Sequence, residues 1–62
     1  MTWIGKQVKL GDSFYCGNTS LKGITGFIIE KKKDIITVEF MNPVYNELDE
    51  CEGNILDFII NN

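Results

Sequence analysis

The strongest constraint in this chain is a β-hairpin pattern over residues 22–41. Two runs rich in β-branched and aromatic side chains flank residues 31–34, which read Lys-Lys-Lys-Asp. Side chains alternate between the two faces of a strand, so four apolar residues fall on one face: Ile28, Ile36, Val38 and Phe40. The charged residues between the runs are costly to bury, which predicts a turn there.

Shorter strand patterns precede this hairpin. Residues 8–10 alternate apolar and charged side chains, which predicts a half-buried strand. The Gly-Asp pair at 11–12 predicts a turn, and residues 13–16 return to a strand in the same phase. Residues 17–20, Gly-Asn-Thr-Ser, contain no apolar side chain and are predicted to form a polar loop.

The C-terminal third predicts two more strands. The Asn-Pro pair at 42–43 ends the hairpin, because proline cannot donate a ladder hydrogen bond. Residues 44–51 are predicted to form a further strand. Asn54 is a favourable N-cap for one short helical turn over residues 55–58, which leaves residues 59–60 as a last short strand.

Together these patterns predict an all-β fold: a small five-stranded antiparallel barrel with one short helical turn before the last strand. Residues 1–62 are expected to form one domain, because a chain this short has room for a single small core. The predicted core comprises Val8, Leu10, Phe14, Ile28, Ile36, Val38, Phe40, Leu48 and Leu56. Gly23 and Gly26 predict a bulge or sharp bend where the sheet curls.

The composition argues against several functional classes. The chain has no His, so a general base near neutral pH and a Cys–His nucleophile pair are both missing, and we expect no enzyme activity. Two Cys without His are too few for the usual zinc site, and no cofactor or metal is expected. No apolar run approaches a membrane span, and the first residues do not resemble a secretory signal. A cytoplasmic protein is therefore expected, with Cys16 and Cys51 as free thiols and small core side chains.

Charge and codon usage suggest a context for the chain. The formal net charge is −3, but residues 1–33 sum to +4 and residues 34–62 to −7. The two halves neutralise each other if the fold mixes them, or they leave an acidic face for a basic partner. Ala and Arg are absent, and Ile, Asn and Lys account for 21 of the 62 residues. This indicates an AT-rich coding sequence of the kind found in many phages and low-GC bacteria.

The order of these elements resembles the SH3-like small barrels. The residues that resemble the KOW motif are Gly11-Asp12, Lys22-Gly23, Gly26, Ile28 and Val38-Glu39. Those that resemble the end of Tudor-type barrels are Val38-Glu39-Phe40 and Ile55-Leu56-Asp57-Phe58. The resemblance covers most of the chain and implies a fold more than a function, because such barrels serve many functions. KOW-like domains bind RNA or proteins of transcription and translation, but this chain departs from them in its acidity and its lack of Arg.

Two binding hypotheses follow, and protein binding ranks first. In that hypothesis the chain is a regulator, of a phage or a low-GC bacterium, that docks on a basic surface of a host or nucleic-acid-processing protein. Its acidic edge is predicted to comprise Tyr45, Glu47, Asp49, Glu50 and Glu52. The tyrosine is predicted to be an aromatic anchor together with Phe27 or Trp3. Four acids in six residues exceed what solubility requires of so small a domain.

The alternative is direct RNA or DNA binding. Phosphate contacts would come from Lys6, Lys9, Lys22, Lys31, Lys32 and Lys33, and base stacking from Trp3 and Tyr15. Charge repulsion from the acidic half places this hypothesis second, unless the lysines gather on one face.

Overall fold

The structure is a computed structural model that describes residues 3–60, and these form six β-strands. The strands are β1 (Gln7–Lys9), β2 (Tyr15–Cys16), β3 (Thr19–Ser20), β4 (Thr25–Lys32), β5 (Ile35–Phe40) and β6 (Ile55–Ile59). The described residues contain no helix, and so none that is long and apolar enough to cross a membrane. The all-β prediction is therefore confirmed.

The central hairpin, β4 and β5, forms the two inner strands of a four-stranded antiparallel sheet with the order β1-β4-β5-β6. The four apolar residues predicted to share one of its faces are all buried. The turn is shorter than predicted, because only Lys33 and Asp34 lie between the strands and the two preceding lysines belong to β4. Lys33 has a φ of 37°, which allows the two-residue connection.

The predicted irregularity lies at a different place in β4. The register shifts between Ile28 and Glu30, where Ile29 is the extra residue of a bulge. Gly26 instead pairs in regular register with Val8 on one side and Phe40 on the other. It faces the core, where there is no room for a Cβ atom: one built there would lie 2.6 Å from Val38 Cγ1.

A second, two-stranded sheet pairs β2 with β3, joined by Gly17 and Asn18. The prediction of a polar loop over residues 17–20 is therefore wrong in its second half, which is strand. Gly17 has a φ of 61°, so a tight turn forms where a longer loop was expected.

One hydrophobic core joins the two sheets. Its buried members are Leu10, Cys16, Leu21, Ile28, Ile36, Val38, Phe40, Val44 and Phe58, with Val8, Phe14 and Leu56 packed against them. Phe58 contacts Phe14 and Phe40 edge to face, with ring centroids 5.3 and 6.2 Å apart. Eight of the nine predicted core residues are confirmed, but Leu48 is wrong, because 69% of its surface is exposed.

The predicted helical turn is also wrong, because residues 55–59 form β6 and pair with β5 along their whole length. Asn54 is not an N-cap: its carbonyl accepts the Phe40 N–H at 2.7 Å, and its side-chain Nδ2 donates to the Phe40 carbonyl at 3.3 Å. These bonds start the β5–β6 ladder. The two sheets do not close into the predicted five-stranded barrel, because β6 has no second strand neighbour among the described residues.

Candidate functional site

The predicted acidic strand is a short hairpin, which we call the acidic hairpin and define as residues 44–53. Its arms meet in one bridge between Tyr45 and Cys51. Three backbone hydrogen bonds join the arms. The Val44 N–H donates to the Gly53 carbonyl at 2.8 Å, and the Glu52 N–H donates to the Val44 carbonyl at 2.9 Å. The Asn46 N–H donates to the Glu50 carbonyl at 3.1 Å. The prediction of a continuous strand over residues 44–51 is wrong, because residues 46–50 turn back on themselves.

Asn46 organises that turn. Its Oδ1 accepts the backbone N–H groups of Leu48 and Glu50 at 2.9 and 3.0 Å. Its Nδ2 donates to the carboxylates of Glu50 and Glu52 at 3.0 and 2.8 Å. Asp49 completes the turn with a φ of 63°. One amide side chain therefore shapes the loop and draws two of the four predicted acids together.

Glu47 joins the acidic hairpin to the β2–β3 turn. Its Oε1 accepts the backbone N–H of Asn18 at 2.9 Å, and Oε2 accepts the side-chain Nδ2 at 3.5 Å. These contacts leave no room for a side chain at Gly17, because a Cβ atom there would clash with Glu47 Oε1. The Asn18 N–H, and then the N–H of Glu47 itself, hold the pKa of the carboxyl below its usual value. Glu47 is thus a structural link, although all four acids of the acidic hairpin are exposed.

A groove of about 490 Å³ runs beside Tyr45, between β3 and the chain that follows β5. Buried Leu21, Phe40 and Val44 form its floor, and the half-exposed side chains of Ile24 and Tyr45 stand at its walls with Met41. This volume lies within the range of ordinary ligand-binding clefts. The groove is mainly apolar and begins at the acidic hairpin.

A second, shallower depression of about 280 Å³ continues the groove around Met41. It shares Phe40 and Met41 with the groove and adds Phe27 and Glu39. Met41 is 86% exposed, and its flexible thioether can adapt to a bound surface. Among residues 3–60 no Lys lines either depression, and the single charge along the two linings is the negative charge of Glu39.

The lysines do not gather on one face. Lys31 pairs with buried Ile36 and so lies on the core side of β4. Its Nζ donates to the Lys33 carbonyl and lies 5.2 Å from the ring centroid of Trp3. Lys32 lies on the opposite side, 3.8 Å from Glu30. Three further lysines lie elsewhere: Lys9 is on β1, Lys22 is in the turn before β4, and Lys6 is just before β1.

Trp3 and Tyr15, the proposed stacking residues, are 45% and 51% exposed and sit at separate places. Trp3 lies under the Lys31 ammonium, while Tyr15 is on the two-stranded sheet. Trp3 therefore lies beside one lysine of the run, whereas Tyr15 belongs to the other sheet.

Both cysteines are free, as expected, but their environments differ. Cys16 is a core residue, and burial raises the pKa of its thiol, with the Glu52 and Glu47 carboxylates acting in the same direction. Cys51 is exposed on the acidic hairpin, so its prediction as a core side chain is wrong. Within residues 3–60, no group of three His, Cys, Asp or Glu side chains is arranged to hold a metal ion.

Comparisons with known proteins place no family name on this arrangement: no family model, no curated protein and no solved structure matches the chain.

Sequence reasoning singles out Tyr45 and the acids but does not predict the groove. Its floor depends on Leu21, a single apolar residue between Ser20 and Lys22, and on Val44, which follows Pro43; neither belongs to a strand-length alternating pattern. It also missed Asn46, although an Asn before an acidic turn is a known signal, because Asn and Asp side chains often bond to backbone amides two residues on.

Proposed function

We propose that this protein is a binding module that holds an extended segment of a partner protein in the groove, with basic side chains of the partner facing the acidic hairpin. The observation that carries the proposal is the apolar groove that starts at Tyr45 and has no basic residue in its lining. The apolar groove buries apolar side chains of the partner, and the acids beside it select a basic partner and speed its association.

The geometry gives each part a role. Tyr45 is a half-exposed aromatic at the junction of groove and acids, which is the position and residue type of a binding anchor. Glu50 and Glu52 are held together by Asn46, so their charges are concentrated at one place. A regulator of a phage or a low-GC bacterium that docks on a nucleic-acid-processing protein would meet such basic surfaces, since those proteins carry them to bind phosphates.

We further propose that the two sheets are an open variant of the SH3-like barrel. Support comes from the meander of β4, β5 and β6 with β1 at its edge, and from the small β2–β3 hairpin inserted after β1. The resemblance to KOW and Tudor domains rests on the same elements.

The test is selection of a displayed library of seven-residue peptides against the immobilised protein. We expect enrichment of peptides with a net positive charge and one large apolar side chain. Tyr45→Ala should weaken binding of an enriched peptide by roughly thirtyfold, the effect of losing an interface anchor. Tyr15→Ala is the matched control, because it removes a similarly exposed tyrosine outside the groove.

Enrichment of neutral or acidic peptides would contradict the proposal, and so would equal losses in the two tyrosine variants. The competing proposal, direct nucleic-acid binding through the lysines, predicts a different result. A fluorescent 20-nucleotide RNA or DNA would then bind the protein with a strong salt dependence that Lys32→Ala reduces.

A further inference from the structure

The strand β6 is an uncovered edge of the four-stranded sheet, on a surface separate from the groove. Its inner neighbour is β5, and among residues 3–60 no strand pairs with its other side. A depression of about 380 Å³ lies at its far end, between residues 13–14 and Ile59 and Ile60. The structure therefore leaves an open site next to this strand.

The hydrogen-bond register shows which backbone groups face that site. The Phe40 N–H bonds to the Asn54 carbonyl, and the Ile60 N–H bonds to the Asp34 carbonyl. In an antiparallel ladder these bonds turn alternate residues toward β5, so the groups of Ile55, Asp57 and Ile59 point to the free side. Three N–H and three carbonyl groups are thus presented at the regular spacing of a strand.

The side chains of the same three residues add a pattern to this edge. Ile55 and Ile59 are 50% and 72% exposed, and the Asp57 carboxylate stands between them. The Thr37 hydroxyl donates to Asp57 Oδ1 at 2.6 Å, which fixes the carboxylate. Its Oδ2 has no hydrogen-bond donor among the described residues, so one oxygen remains for an incoming cation.

We propose that the free edge of β6 receives an added antiparallel strand from a partner protein, and that this strand alternates apolar, basic and apolar side chains. The apolar residues would lie opposite Ile55 and Ile59, and a Lys or Arg opposite Asp57. Backbone bonds supply most of the binding in such strand addition, while the alternate side chains supply specificity. The site is independent of the groove and adds a second contact surface.

A second copy of this chain is a poorer occupant for the same edge. The segment Ile-Leu-Asp-Phe-Ile is nearly symmetric about Asp57, so two copies paired antiparallel would match isoleucine with isoleucine. They would also place Asp57 opposite its own counterpart, and like charges directly opposite each other are unfavourable. The carboxylate thus favours a basic partner strand and opposes self-association.

The test uses the unmodified protein and three peptides. The probe is acetyl-Thr-Val-Thr-Lys-Thr-Val-Thr-amide; the second peptide has Glu for Lys, and the third is the probe with N-methyl groups on Val, Lys and Val. We expect the probe to slow hydrogen exchange at the Ile55, Asp57 and Ile59 amides and to bind roughly five- to thirtyfold more tightly than the Glu peptide. The N-methylated peptide should not bind, because its donors are blocked.

Asp57→Lys should reverse the preference, while Asp57→Asn, which removes the charge without inverting it, should abolish it. Equal binding of the Lys and Glu peptides would overturn the proposal, as would binding of the N-methylated peptide or protection elsewhere than β6. Sedimentation that shows the free protein dimerising through β6 would also overturn it, in favour of a second copy. Peptide selection at the groove can succeed or fail independently of these results.

Discussion

Gly26 has no room for a side chain where β4 packs against β5, so Gly26→Ala tests the packing of the core. A Cβ atom at this position would lie 2.6 Å from Val38 Cγ1, 2.9 Å from the Glu39 carbonyl oxygen and 3.1 Å from Phe40 Cδ1. Carbon atoms in contact normally sit about 3.5–4.0 Å apart. One neighbour is backbone on the adjacent strand, so rotation of a side chain cannot relieve the whole overlap.

The expected cost follows from these contacts. Overpacking a core costs typically about 1–3 kcal/mol. The gain from replacing glycine in a strand offsets roughly 0.5–1 kcal/mol of that. Because the overlap includes backbone, we expect a net loss of about 2 kcal/mol in the free energy of unfolding. This is a large fraction of the roughly 3–9 kcal/mol available to a 62-residue domain. At 4–8 °C per kcal/mol, it corresponds to a Tm lowered by about 8–16 °C.

The assay is chemical and thermal unfolding followed by circular dichroism, with two comparisons. Gly11→Ala is the matched control, because no atom lies within 4 Å of a Cβ atom built there and its φ is not positive. It should change stability by less than about 0.5 kcal/mol, as surface substitutions usually do. Val38→Ala removes the methyl group in the closest contact. The double variant should therefore lose about 1 kcal/mol less stability than the sum of the two single losses.

A Gly26→Ala variant as stable as Gly11→Ala would refute the close packing of β4 against β5. Strict additivity with Val38→Ala would refute the identity of the contact. A loss that Val38→Ala rescues only in part is the expected outcome, because the Glu39 carbonyl remains in place.

Two further predictions concern titratable groups. Glu47 has a lowered pKa in the folded protein, so it contributes stability that is present above its ordinary pKa of about 4.3 and is lost as the pH falls through its folded pKa. Thermal unfolding should therefore show Glu47→Gln less stable than the unmodified protein at pH 7, and the difference should shrink in acid; a constant difference would contradict the Asn18 contact. Cys51 should react with iodoacetamide in the native protein, whereas Cys16 should react only through unfolding, because it is buried and its pKa is raised. Mass spectrometry of the alkylated protein would show one fast and one slow addition, and two fast additions would contradict the burial of Cys16.

Sequence periodicity predicted the central hairpin and most of the core because both depend on local alternation. Ile28, Ile36 and Val38 have a phase that only one register satisfies, and they are buried as predicted. Leu48 was assigned to the core by the same rule and is exposed, because the Asn46 side chain turns the chain before it reaches that residue. A side chain that bonds to nearby backbone overrides a periodic pattern.

The C-terminal prediction failed for a different physical reason. Asn54 and the residues after it satisfy local rules for a helix start, yet the segment pairs with β5. The tertiary partner decides the conformation of a short segment, and local propensity cannot report that partner. The candidate groove escaped prediction for the same reason, since its walls come from parts of the chain distant in sequence.

The strand order β1-β4-β5-β6 has a consequence for how the chain folds. The strands β4, β5 and β6 are consecutive both in the chain and in the sheet, whereas β1 joins β4 across the intervening β2–β3 hairpin. The tightest connection is the two-residue turn of the β4–β5 hairpin. Short loops close at low entropic cost, so this hairpin is the expected folding nucleus, with β6 and β1 added to its two sides. Substitutions at Ile28 and Val38 should then slow folding, whereas substitutions in the acidic hairpin should mainly speed unfolding. The acidic hairpin therefore lies outside the part of the chain that starts folding, whereas the groove floor takes Phe40 from it.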